Sequence, residues 1–129
     1  MAVSGVIYLL DTNICILLLA TEAHRLRARV RECAVGDLAI SSVTFAEIAF
    51  GSRNGKMPPM KVLEAFIRDV PPVPFDTAAA RQYAALPFRR GSFDRLIAAH
   101  AIALDLTLVT NNERDFADIP NLHLENWTL

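Results

Sequence analysis

Four acidic side chains stand out because of their surroundings. Asp11 directly follows the apolar run Gly5 to Leu10, and Glu47 is flanked by Ala46, Ile48 and Ala49. Asp94 leads the almost wholly apolar stretch from Phe93 to Leu104, and Asp115 comes a short loop after Thr107 to Val109. Carboxylates in apolar surroundings are rare unless they are paired or bind metal. Lys56 and Lys61 are the only lysines and neither adjoins these acids in sequence, which leaves Arg95 and Arg114 as nearby cations. Two carboxylates about 4 Å apart repel by about 4 kcal/mol at an effective dielectric near 20. A cluster of three or four therefore calls for a cation. Hard oxygen donors suit Mg²⁺, with Mn²⁺ as the alternative. Such an ion acidifies a bound water and stabilises charge on a phosphoryl group in transfer. Taken singly, Asp11 and Asp115 have a plainer use as helix caps.

The elements that must carry these acids can be read from apolar patterning. Gly5–Leu10 suits a strand buried on both faces, and Asp11-Thr12-Asn13 stops it and caps a helix over Ile14–Ala20. A second helix is expected over Glu22–Ala34, a second strand over Asp37–Ser41, and a helix from Val43 to about Ser52 capped by Ser42. Pro58-Pro59 opens a helix with Met60, Leu63, Phe66 and Ile67 on one face. Val70–Phe75 is too proline-rich for a central strand and reads as an edge strand. An alanine-rich helix follows over Asp76–Leu86, then a basic loop over Pro87–Gly91, and a buried helix over Phe93–Leu104 capped by Ser92. A strand at Thr107–Val109, a helical turn at Asp115–Asp118 and a final strand at Leu122–Leu124 complete the chain. Strands alternating with helices imply an α/β domain with a mainly parallel sheet covered on both faces. In such a sheet ligands bind outside the carboxyl ends of the strands, where topology alone puts Asp11, Glu47 and Asp115. Asp94 joins them if its helix starts there.

The ordered set Asp11-Thr12-Asn13, Glu47 after Ser-Ser-Val-Thr, Phe93 to Ala101 (FDRLIAAHA) and Thr107 to Phe116 (TLVTNNERDF) resembles the PIN-domain nucleases. Within them it is most similar to the VapC-type toxins of bacterial toxin–antitoxin pairs. The likeness runs from the first strand to the C-terminus. It implies a PIN-like three-layer α/β/α domain over residues 1–129, with Asp11, Glu47 and Asp94 as metal-site acids. It also implies a polar loop after Thr107–Val109 that completes the site, matched by Thr110, Asn112 and Asp115. Asn112 stands where some members carry Asp, and Asp115 occupies the alternative position. The implied activity is a Mg²⁺- or Mn²⁺-dependent endoribonuclease in which water attacks an RNA phosphodiester in line, leaving a 5′-phosphate and a 3′-hydroxyl. Asn13 and Thr110 would orient metal waters or the phosphate. The implied partners are RNA, a cognate antitoxin chain in a hetero-oligomer, and a second copy of the chain.

Composition narrows the alternatives. The chain has 129 residues, 53% of them hydrophobic, and a mean hydropathy of +0.29, enough for a full core and for an apolar interface besides. The formal net charge of −1 means that RNA contact must use local patches, such as Arg25, Arg27, Arg29 and Arg31 or Arg89, Arg90 and Arg95. The first cluster reads most simply as a solvated helix face. Cys15 and Cys33 form no disulfide framework and fit packed, reduced thiols in a cytoplasmic setting. Asp11 and Asn13 interrupt the apolar N-terminal stretch, which reads as neither signal peptide nor membrane span. His100 reads as a packed core histidine, and His24 and His123 lack ligand spacing. A receiver-like phosphoacceptor domain would need a lysine after a late strand. A haloacid-dehalogenase-type phosphatase would need an acid at position 13, which is Asn. A PIN fold acting only as a catalytically inactive binding module is the remaining alternative.

Overall fold

The structure, a computed structural model, describes residues 5–87 and 91–129. The elements run β1 (Tyr8–Leu10), α1 (Thr12–Ala20), α2 (His24–Glu32), β2 (Leu38–Ser41), α3 (Ser42–Arg53), α4 (Met60–Asp69), β3 (Pro72–Val73), α5 (Thr77–Ala84), α6 (Phe93–Leu104), β4 (Thr107–Val109), a 3₁₀ turn (Glu113–Phe116) and β5 (Leu124–Glu125). The strands form one sheet in the order β3-β2-β1-β4-β5, and every pairing is parallel. Pro72 and Val73 lie at the sheet edge, where a residue without an N–H costs no ladder bond.

Side chains alternate across the sheet and divide the core in two. Leu10, Ile40 and Val109 point to one face, where they pack with Ile14, Leu18, Leu26, Ile48, Leu63 and Trp127 from the helices and the C-terminal segment. Leu9, Ala39 and Leu108 point to the other, against Ile97, Ala98 and Ala101 of α6 and Phe116 and Ile119 beyond β4. Small residues on both sides, Ala39 below and Ala98 and Ala101 above, allow α6 to lie close to the sheet. This is the helix–sheet–helix layering expected from the alternation of elements.

The strand order reverses direction at β1: successive strands step one way to β3, and the chain then returns to the other side as β4 and β5. The crevice at the carboxyl ends of β1 and β4 is therefore the switch point where open parallel sheets bind ligands. The order also differs from the 2-1-3-4-5 arrangement of receiver domains, which removes the phosphoacceptor alternative.

Several local expectations shift. Ala23 has φ 35°, a left-handed conformation that a helix cannot include, so α2 begins at His24 and not at Glu22. Ser41, not Ser42, caps α3 by accepting from the Val43 amide at 3.1 Å; Ser42 Oγ accepts from the Phe75 amide at 3.0 Å and ties β3 down. The helical turn after β4 comes two residues early, at Glu113–Phe116, and β5 starts at Leu124. The expected caps Asp11, Asp76 and Ser92 each accept a backbone N–H of the helix they precede. Within the basic loop, positions 88–90, and with them Arg89 and Arg90, lie outside the described residues.

Arg27 and Arg29 of α2 are not simply solvated. Arg27 donates to the carbonyls of Leu18, Thr21 and Glu22 and so caps the end of α1. Arg29 pairs with Glu125 at 3.2 Å and lies 4.8 Å from the Trp127 ring, joining α2 to the C-terminal segment. His100 is fully buried, with Nδ1 2.9 Å from Ser41 Oγ and its ring edge-on to Phe75. Cys15 and Cys33 are free thiols, and no helix among the described residues is long and apolar enough to cross a membrane.

Candidate active site

Asp11 is placed by two bonds of the fold. Its amide donates to the Val109 carbonyl at 3.0 Å, which locks the end of β1 to the end of β4. Its Oδ1 accepts from the Ile14 amide at 2.9 Å as the cap of α1. The side chain is only 4% exposed. Burial pushes its pKa up from 3.8 to about 6; hydrogen bonds from the Thr110 hydroxyl and the Ile14 amide oppose this, and the charges of Asp94 and Glu47 add to it.

Glu47 sits in the second turn of α3, which follows β2 directly. Thr12, the first residue of α1, donates from Oγ1 to Glu47 Oε1 at 2.6 Å, and the same hydroxyl lies 3.3 Å from Thr44 Oγ1. Thr12 and Thr44 are buried, so this contact fixes the rotamer of a carboxylate that would otherwise swing. Partial burial raises the Glu47 pKa, the Thr12 bond lowers it and the Asp94 charge raises it.

Asp94 occupies the first turn of α6 behind the Ser92 cap. Its pKa is raised by burial first and by the charge of Asp115 second. Asp94 is the hub: its charge is felt at Asp11 and at Glu47, and it feels Asp115. Asp115 itself is exposed in the 3₁₀ turn and accepts from Asn112 Nδ2 at 2.6 Å. Thr110 is fully buried at the end of β4, and its Oγ1 accepts from the Asn112 amide at 3.1 Å. Thus Thr110, Asn112 and Asp115 form one hydrogen-bonded loop beside the acids. Asn13 is exposed in the first turn of α1, and no contact joins it to the acids.

The carboxylates form an arc and not a closed cage. Among the described residues, no three His, Cys, Asp or Glu side chains converge as a ready metal-ligand group. The donor set nonetheless suits a hard divalent ion: all its members are oxygens, and three of the acids are held from separate elements with raised pKa values. No arginine or lysine among the described residues pairs with Asp11, Glu47 or Asp94. Arg95, the nearest in sequence, is turned to Asp118 (3.3 and 3.4 Å) and the Pro87 carbonyl (3.2 Å).

Two openings flank the arc. A polar cavity of about 480 Å³ is lined by Ser92, Asp94, Arg95, Arg114, Asp115, Ala117 and Asp118. An apolar groove of about 520 Å³ is lined by Val43, Ala46, Glu47, Phe50, Phe93 and Leu96. Phe50 and Phe93 are 73% and 58% exposed at its rim, an unusual display for large aromatic side chains.

Reading the sequence alone overlooks Thr12 and Thr44 as supports of Glu47, and Asp118 as the partner of Arg95. For Thr44 a signal exists, since it precedes Glu47 by three residues and so shares its helix face. Thr12 and Asp118 meet their partners only through tertiary packing.

Residues 8–122 match the PIN domain family. The chain is 35% identical to the tRNA(fMet)-specific endonuclease VapC of Shigella flexneri, over 94% of this chain and 98% of that protein. It is likewise 35% identical to ribonuclease VapC2 of Rickettsia felis, over the same shares of the two chains. Among solved structures, it superposes on VapBC2 from Rickettsia felis bound to a DNA fragment from their promoter with a TM-score of 0.84 and 34% identity, covering 94% of this chain and 98% of that one. DNA-bound VapBC from Salmonella typhimurium gives a TM-score of 0.80 at 30% identity, covering 95% and 98%.

Proposed function

The chain belongs to the PIN-domain family of ribonucleases, in its VapC branch, and we propose that it is the toxin of a toxin–antitoxin pair whose acids Asp11, Glu47 and Asp94, completed by Asp115, hold Mg²⁺ or Mn²⁺ to cut RNA. The observation that supports this site most directly is that Asp11 at the end of β1, Glu47 in α3 and Asp94 in α6 lie close enough for the Asp94 charge to act on both others, with no cation of the described residues against them. Such an arrangement is costly for folding and useful for holding a divalent ion.

The ion supplies charge stabilisation on the phosphoryl oxygens and makes water a nucleophile near neutral pH. The protein positions everything else. Asp11 offers its carboxylate from the end of β1 and Asp94 from the first turn of α6, and Thr12 holds the Glu47 carboxylate in one rotamer. Thr110 braces both Asp11 and the Asn112 loop, and Asn112 fixes Asp115. Asn13, exposed at the mouth, is available to the phosphate or its waters. Water adds to phosphorus, the bond to the 3′ oxygen breaks, and that oxygen takes up a proton. The products are a 5′-phosphate and a 3′-hydroxyl.

The names of the relatives make initiator tRNA the first substrate to test. The structural neighbours are complexes with an antitoxin, and the apolar groove beside Glu47 offers such a partner a seat next to the acids. A partner arginine there would replace the metal by bidentate pairing with the carboxylates. The deciding experiment incubates purified chain with initiator tRNA and with unrelated RNA, in Mg²⁺, in Mn²⁺ and in EDTA, and maps the ends of the fragments. Cleavage that needs the ion and leaves 5′-phosphates supports the proposal. A folded chain that binds RNA and never cuts it would establish the inactive binding module instead.

A further inference from the structure

The polar cavity beside Asp94 contains two arginines with opposite fates. Arg95 is 8% exposed and fully committed, with its guanidinium on the Asp118 carboxylate and the Pro87 carbonyl. Arg114 is exposed and has no ion pair among the described residues, although acids flank it on both sides in sequence. Those acids are engaged elsewhere: Glu113 accepts from Asn126 Nδ2 at 3.3 Å, and Asp115 accepts from Asn112 Nδ2 at 2.6 Å. A free guanidinium is thus kept on the wall of a cavity that it shares with Asp94 and Asp115. The other flank of the arc is the apolar groove, which carries no cation among the described residues. An RNA strand whose scissile phosphate lies over the acids therefore finds a counter-charge for its next phosphate, among the described residues, on the Arg114 side.

We propose that Arg114 is a substrate-binding residue that takes the backbone phosphate of the nucleotide adjoining the one cut, on the Asp94–Asp115 side of the site. The proposal rests on the ribonuclease reading above and adds a polarity to it. Guanidinium presents paired N–H donors that match phosphate oxygens. Its place in the 3₁₀ turn after β4, anchored by buried Phe116 and by the Asn112–Asp115 bond, limits how far it moves.

The test compares Arg114→Gln and Arg114→Lys with Arg25→Gln, which removes an equal charge from the exposed face of α2. Cleavage of a short single-stranded RNA is measured for each. Binding of the same RNA is measured across a salt series with each change placed in an Asp94→Asn chain. Arg114→Gln should raise KM by about 10-fold with kcat little changed, the loss expected for one charge-assisted contact. It should also flatten the slope of log K against log salt by about 0.7, one phosphate on a single strand. Arg114→Lys should keep the slope and lose part of the affinity. A neutral methylphosphonate at the linkage next to the cut should weaken the wild type and leave Arg114→Gln unaffected. If wild type cuts RNA while Arg114→Gln matches Arg25→Gln in KM and salt slope, the assignment of Arg114 is overturned. Loss of antitoxin affinity with RNA binding intact also overturns it, in favour of a partner carboxylate. If wild type cuts no RNA, the ribonuclease reading fails, and the binding series still decides whether Arg114 holds a phosphate.

Discussion

The hydroxyl of Thr12 donates to Glu47 Oε1 at 2.6 Å across 35 positions of sequence, so the first residue of α1 orients an acid carried by α3. The bond joins the helix after β1 to the helix after β2 at the edge of the crevice. Thr12→Val keeps the shape and removes the donor. Activity at limiting metal should fall by about 10- to 100-fold, the usual loss when a group that orients a metal ligand is removed. Thr12→Ser should retain most activity. Metal titrations of the three proteins check this; an unchanged half-saturating metal concentration in Thr12→Val would show that Thr12 has only a packing role.

Asp94 is the hub of the arc, so its loss should be more severe. Asp94→Asn should reduce cleavage by more than about 100-fold, beyond the range for groups that merely orient a ligand. The fold should survive, since Asp94 makes no hydrogen bond that an amide would break among the described residues. Circular dichroism and single-turnover cleavage measured on one preparation decide this. Normal turnover by the variant would remove Asp94 from the site.

The raised pKa of Asp11 makes a signed prediction for the metal-free protein. Its folded value of about 6 exceeds the unfolded 3.8, so the folded state holds its proton more tightly. Stability is then greatest below pH 4 as far as this group is concerned, and falls as pH rises from about 4 to 6. The gap of roughly two pH units corresponds to about 3 kcal/mol. Asp11→Asn should flatten the profile across that window, and Asn can still cap α1. A divalent ion should restore stability above pH 6, by about 2.7 kcal/mol at 100 times its dissociation constant. Melting curves from pH 4 to 7 in EDTA and in Mn²⁺ test both arms. No gain from millimolar ion in the wild type would refute the acid arc as a metal site.

Arg95 should matter for stability and not for RNA. Its replacement by Met removes the buried, charge-assisted contact to the Asp118 carboxylate and the bond to the Pro87 carbonyl, at a cost of about 2 kcal/mol. Denaturant unfolding should show a lower midpoint, while KM for RNA in the folded fraction stays near the wild-type value. A KM change without destabilisation would mean that the guanidinium faces substrate.

The proposed toxin role predicts growth arrest on expression of the chain alone. Co-expression of the antitoxin should restore growth, and Asp94→Asn should be harmless without it. Normal growth with active wild-type chain at high level would count against the toxin role.

Much of this was legible in local sequence because it depends on local physics. Continuous apolar runs such as Tyr8–Leu10 can be buried only between two helical layers, and caps such as Asp11, Asp76 and Ser92 act on amides three residues away. Parallel pairing follows once helices separate the strands, and a parallel sheet brings residues that follow strands to one edge. That local physics was enough to put Asp11, Glu47 and Asp115 forward as candidates at that edge, with Asp94 added by where its helix starts. What only the tertiary structure decided is which charges go unpaired. Arg95 and Arg114 are equally basic in sequence, yet one is engaged by Asp118, 23 residues away, and the other has no ion pair among the described residues, its flanking acids accepting from Asn126 and Asn112. Likewise Thr12 finds Glu47 only because the β1–β2 pairing sets α1 against α3. Pairing of this kind is settled by distance and burial across the fold, which residue type and spacing along the chain do not encode.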